Sequence, residues 1–128
     1  AIMVWFNAPI PQPDHTLRAV RAALRIRQAI RNLHAELPPE AHLDFGVGIH
    51  YGDAVLGLVG TEKRLDYTAI GDSVNTAKRI QENSAANQIL ISDAAYQQVR
   101  HNIQVVDAES VQAKGKSKPL RVYEVLSV

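Results

Sequence analysis

The stretch DYTAIGDSVNTAKRI, from Asp66 to Ile80, sets Asn75 and Arg79 four residues apart, directly after a Gly71-Asp72-Ser73 break. Such a break ends a strand and starts a helix, and residues four apart on a helix share a face. Both side chains therefore converge on one object. Arginine offers a planar fork of donors matched to phosphate oxygens, and asparagine a neutral donor and acceptor suited to a sugar oxygen. Together they describe a nucleotide. Lys114, Lys116 and Lys118, in AKGKSKP, form a second basic group, where a lysine could hold phosphate as a point charge.

Other motif-like spacings do not survive inspection. Gly46, Gly48 and Gly52 miss the dinucleotide fingerprint by one residue at the last spacing, and they sit in a strand-like run. Gly115-Lys116-Ser117 resembles the end of a P-loop, but Ser110 stands where its first glycine belongs and a strand follows. The histidines, at 15, 34, 42, 50 and 101, form no HExxH pair, and the absence of cysteine removes disulfides and thiolate zinc sites. They read as surface or packing residues.

At 128 residues and 46% hydrophobic, the chain is expected to form one domain with a real core, residues 1–128. A formal net charge of +1 gives no general attraction for a polyanion, and no aromatic patch is present for base stacking, so nucleic acid is not an expected partner. No apolar run approaches the roughly 20 residues that span a bilayer. The expectation is a cytoplasmic domain, or the cytoplasmic part of a larger protein, with no membrane contact of its own.

The elements that must carry Asn75 and Arg79 follow from periodicity. AIMVWF is a wholly apolar run that reads as a strand buried on both faces and entered midway, so the natural protein is expected to continue upstream. The prolines of NAPIPQPDHT force a loop ending at a helix start, with Asp14 or Thr16 as N-cap. The helix should run to about Leu37, with a solvated stripe of Arg18, Arg21, Arg25, Gln28 and Asn32, and an apolar side of Leu17, Val20, Leu24, Ile30, Leu33 and Leu37. HLDFGVGIHYG and DAVLGLVG read as a hairpin across a Gly-Asp turn, with TEKRL as a charged connection. A helix from about Ser73 to Asn83, a strand QILI, a helix from Asp93 to Val99, a strand IQVVDAESVQA, a basic turn KGKSKP and a closing strand LRVYEVL complete the chain. The sum is α+β: a mainly antiparallel sheet with helices packed on one side.

Taken in order, AIMVWFNAP, DHTLRAVRAAL, GVGIHYGDAVLGLVG, LDYTAIGDSVNTAKRI and AKGKSKPLRVYEV resemble the catalytic domain of class III nucleotidyl cyclases, the adenylyl and guanylyl cyclases. The resemblance covers nearly the whole chain and implies a ferredoxin-like cyclase fold. By it, Asn75 would orient the ribose and Arg79 would stabilise charge on the α-phosphate as the 3′-hydroxyl attacks and pyrophosphate leaves. Lys114 would hold the distal phosphates, and Thr68 would read the purine. Threonine at that position is similar to one subgroup of adenylyl cyclases, which makes ATP the expected substrate over GTP and leaves sensitivity to bicarbonate open.

The same resemblance implies two divalent metal ions, Mg²⁺ or Mn²⁺, held by two aspartates that would lie upstream of Ala1, with the amino-terminal strand, its helices and a purine-reading lysine. Asp53 matches a hairpin turn and Asp72 a helix cap, so neither is expected to bind metal. The 128 residues alone are expected to be inactive. A second copy of the domain is the expected partner, the family's sites lying between two subunits. A guanylyl cyclase and a catalytically silent cyclase-like dimerisation module are the other readings.

Overall fold

A computed structural model describes residues 2–112 and 118–128, with the Arg64 side chain also outside the description. Helix α1 (His15–Ala35) is followed by a 3-10 turn, strand β1 (Val47–Ile49), strands β2 (Val55–Thr61) and β3 (Arg64–Ile70), and helix α2 (Asp72–Glu82). Strand β4 (Ile89–Ser92), helix α3 (Asp93–Val99), strand β5 (Gln104–Asp107) and strand β6 (Val122–Ser127) complete it.

Four strands form one sheet in the order β1-β4-β6-β5, with β1 parallel to β4 and the other pairs antiparallel. The domain is thus α+β with mainly antiparallel pairing. Its helices occupy both faces, where one covered face was expected. Ile89 and Ile91 of β4, with Tyr123 and Val125 of β6, pack against Val20 and Ala23 of α1 and Ala95 and Val99 of α3. Leu90 and Val122, which alternate with them, pack against Ile80 of α2. Side chains alternate across a strand, so β4, apolar at Ile89, Leu90 and Ile91, and β6, with Val122 on one side and Tyr123 and Val125 on the other, present two faces that must each be covered.

The expected hairpin lies one strand later. β1 pairs across to β4, more than forty residues on, with Val47 opposite Ile89. The ribbon is instead β2 with β3, turning at Glu62-Lys63, so TEKRL is the turn and the start of a strand. Alternation marks strands but not their partners, and a parallel partner is invisible to local pattern.

Three further expectations change. Residues 2–6 form no strand among the described residues, and Ile2 is 89% exposed. An apolar run becomes a strand only when a ladder receives its backbone; here Trp5 makes an edge contact with Tyr67 of β3 at 6.3 Å between centroids. The long strand expected at residues 103–113 stops at Asp107 and resumes as a single bridge, Val111 with Leu120. Helix α1 ends at Ala35, short of the expected Leu37, and Leu33 and Leu37 are exposed, because the core beneath the helix reaches only its first half, at Leu17, Val20, Ala23 and Leu24. The N-cap residue of α1 is Asp14, whose carboxylate pairs with Arg18 at 2.7 Å and caps no backbone amide. The expected turn KGKSKP falls largely outside the described residues.

Candidate active site

Three of the four residues singled out by the sequence fall on one continuous piece of chain. Thr68 lies in β3, and Gly71, with φ of 135°, turns the chain into α2. No residue with a side chain adopts that φ readily. The Gly71 carbonyl accepts from the amides of Val74 and Asn75, at 3.2 and 3.3 Å, which closes the first turn of the helix. Asn75 and Arg79 follow on one face, and the Asn83 side chain donates from Nδ2 to the Arg79 carbonyl at 2.9 Å, finishing the last turn. Lys114 lies outside the described residues, so its relation to this face is not part of the geometry.

Asn75 is exposed and Arg79 is half-buried. Among the described residues, neither side chain makes a hydrogen bond or ion pair. A half-buried guanidinium keeps a planar fork of donors suited to an anion. Thr68 is half-buried opposite Gly57 of β2.

What holds α2 in place was missed by the sequence reading. Gly46, Gly48 and Gly52, rejected as a nucleotide fingerprint, form the seam on which the helix lies. A β-carbon on Gly48 would meet the Gln81 amide nitrogen, stand 2.7 Å from the Ala77 carbonyl oxygen and 2.9 Å from Gln81 Cα. One on Gly46 would strike the Ser84 hydroxyl, and one on Gly52 the Ser73 hydroxyl. The helix therefore runs back along β1, its end over Gly46 and its start over Gly52. The available signal was the two-residue spacing of Gly46 and Gly48, which puts both on one strand face. Ile80, three residues from Ala77 and so on the same side of the helix, is fully buried against Leu90, Val111 and Val122 and contributes about 1.5 to 3 kcal/mol.

A hydrogen-bonded corner backs the start of the site. The Ser92 hydroxyl, 2% exposed, accepts from the Ala95 amide at 3.2 Å to cap α3. It also lies 2.8 Å from His50 Nδ1. His50 is thus tied to the residue that caps α3. Of the remaining histidines, His34 and His42 stack at 4.3 Å between ring centroids. His42 Nε2 lies 2.8 Å from the carbonyl oxygen of His34, in the last turn of α1, and 3.0 Å from that of Leu37 just beyond it.

Among the described residues no group of three or more His, Cys, Asp or Glu side chains comes together that could hold a metal ion. Asp53 and Asp72 gather no such set, and no described residue is assigned as a metal ligand. No helix among the described residues is long and apolar enough to cross a membrane.

A helix laid on a glycine seam thus carries Asn75 and Arg79 on one face beside a two-stranded ribbon. The chain belongs to the family of adenylate and guanylate cyclase catalytic domains, whose family model matches residues 1–126. It is 34% identical to adenylate cyclase 1 of Rhizobium meliloti (strain 1021), over all of this chain and 20% of that protein. Among solved structures it superposes on the adenylyl cyclase CyaB from P. aeruginosa with a TM-score of 0.85 at 28% identity, covering 96% of this chain and 65% of that one. It also superposes on the guanylyl cyclase Cya2 with a TM-score of 0.84 at 33% identity, covering 96% and 64%. The chain therefore spans a fifth of its curated relative and just under two thirds of each solved domain. Domains of this family generally depend on divalent metal ions.

Proposed function

We propose that this chain is the base-, ribose- and α-phosphate-binding part of an adenylyl cyclase that converts ATP to 3′,5′-cyclic AMP and pyrophosphate. The observation that carries the reading is the face shared by Asn75 and Arg79, both without side-chain partners among the described residues, one turn beyond the strand that holds Thr68.

The reaction is intramolecular. The ribose 3′-oxygen bonds to the α-phosphorus, the bond from that phosphorus to the bridging oxygen of pyrophosphate breaks, and the 3′-hydroxyl proton is given up. Asn75 holds the ribose so that the 3′-oxygen faces the phosphorus, the kind of positioning that replaces a large share of an entropic barrier. Arg79 donates to the α-phosphate oxygens, where negative charge builds as the new bond forms. Lys114 is assigned the distal phosphates on the resemblance alone. The Thr68 hydroxyl is assigned, on the resemblance, to accept from the 6-amino group of adenine.

A hydroxyl can also donate, and so could serve the 6-oxo group of guanine. Similarity to the guanylyl cyclase Cya2 keeps GTP as the second reading. Residues 1–128 act, in this proposal, as one segment of a catalytic domain that pairs with a second copy, the site lying between the two. Two Mg²⁺ or Mn²⁺ ions complete the expected requirement, with ligands outside the described residues.

The test is product analysis on the complete protein, given ATP and GTP separately with Mg²⁺ or Mn²⁺. Cyclic AMP is the expected main product; predominant cyclic GMP reassigns the substrate, and no cyclic nucleotide from either supports a silent module. Specific activity should also fall on dilution as a dimer-dependent site comes apart. Constant specific activity as sedimentation shows dissociation to monomers would overturn the shared site.

A further inference from the structure

Five of the glycines have a reason in the fold. Gly46, Gly48 and Gly52 make room for α2, and Gly60 and Gly71 have φ of 145° and 135°. Gly57 has neither excuse. It sits inside β2 with no positive φ, and a β-carbon built on it would find no atom within 4 Å. A glycine inside a strand costs roughly 0.5 to 1 kcal/mol relative to alanine, so the fold alone would be better served by a side chain.

Its surroundings say what the gap is for. Gly57 is the direct cross-strand partner of Thr68, and direct partners present their side chains on the same face of a ribbon. Two residues to either side on that face stand Val55 and Val59, 67% and 42% exposed, with Ile70 opposite Val55 and 47% exposed. The result is a notch with a bare backbone floor, apolar walls at Val55, Val59 and Ile70, the Thr68 hydroxyl and, opposite Val59, the carboxylate-bearing Asp66. Its shape and chemistry match a flat heteroaromatic ring with polar groups on its edge. They do not match a phosphate, which would need donors or positive charge.

We infer that Gly57 is an affinity-determining residue of the nucleotide site, its missing side chain leaving the slot in which the purine ring lies against β2 beside Thr68. The inference rests on the cyclase reading and deepens it: the ring's position is set by the absence of a group as well as by the hydroxyl.

The test is Gly57→Val in the complete protein, with Gly57→Ala as a smaller step. Gly57→Val should raise KM for ATP and for GTP at least about tenfold, the usual scale for filling an apolar subsite, and Gly57→Ala should do so less. Inhibition by tripolyphosphate, which has the phosphates but no base, should stay within about twofold of wild type, since the change touches only the base. Tm should hold or rise, and the association state should not change. Unchanged KM, equal loss of ATP and tripolyphosphate affinity, a lowered Tm or a lost dimer would each overturn the slot. Wild-type protein tested alongside keeps the two ideas apart. If wild type forms no cyclic nucleotide the cyclase reading fails, whereas an active wild type and an unaffected Gly57→Val remove the slot alone.

Discussion

Gly48 lies so close under Gln81 that Gln81 Cα would be 2.9 Å from any β-carbon added to it. One strand glycine thus sets the height of the helix that carries Asn75 and Arg79. The neighbouring atoms are helix backbone, which cannot swing aside as a side chain can, so the contact works as a fixed spacer.

Gly48→Ala should therefore cost about 1 to 3 kcal/mol, as overpacking usually does, and lower Tm by several degrees. Because α2 must lift or slide, KM for ATP should rise as well, even though Gly48 is not placed in contact with substrate. A thermal melt and a KM determination on one preparation check both. Wild-type values for the two would show that α2 is free to adjust.

Arg79→Ala should act mainly on kcat. Its assigned partner gains charge on the way to the transition state, and removing such a donor costs about 10² to 10³ in rate. Asn75→Ala should also lower kcat, through lost positioning of the ribose. Tm should change little in either case, since neither side chain has a hydrogen-bond or ion-pair partner among the described residues. Steady-state kinetics with a melt on each variant distinguish this from a structural role, in which Tm would fall while kcat of the folded fraction stayed constant.

Thr68 substitutions should move the ratio of ATP to GTP turnover, because the hydroxyl is assigned to the base. Thr68→Val keeps the shape and removes both donor and acceptor, so affinity for the preferred base should fall more than that for the other. Competition between the two nucleotides, read as kcat/KM for each, is the measurement. An unchanged ratio would detach Thr68 from base reading.

The Tyr123 hydroxyl donates to Asp93 Oδ1 at 3.0 Å, tying β6 to the first turn of α3. Burial, and then the bond to Asp93, push its pKa above the ordinary tyrosine value. Since the folded state holds this proton more tightly than the unfolded chain, the stability involved is intact below the free tyrosine value of about 10. It is lost as pH rises from there through the higher folded value. Urea unfolding between about pH 8 and 11 should therefore show a steeper alkaline decline for wild type than for Tyr123→Phe. Parallel curves would contradict the assignment. At neutral pH the variant should be less stable by about 0.5 to 1.5 kcal/mol, one hydrogen bond's net worth.

Local chemistry made much of this protein legible from its sequence alone. Gly71 before Asp72 and Ser73 announces the start of α2, and the four-residue spacing of Asn75 and Arg79 sets them on one face, because helical geometry is a property of a few consecutive residues. The short helix Asp93–Val99 and the buried strand Ile89–Ser92 are readable for the same reason. What the sequence could not show are relations between distant residues. AIMVWF has a strand's composition, yet among the described residues it has no ladder to join. β1 looked like half of a hairpin and pairs instead with β4, because a strand's pattern does not name its partner. Gly46, Gly48 and Gly52 looked like a failed phosphate motif, and only the packed helix above them gives them a purpose. Whether a glycine is there for a turn, for a close approach or for an open space depends on which atoms stand over it. At Gly48 those atoms belong to Ala77 and Gln81, and over Gly57 there are none; that difference exists only once the chain has folded.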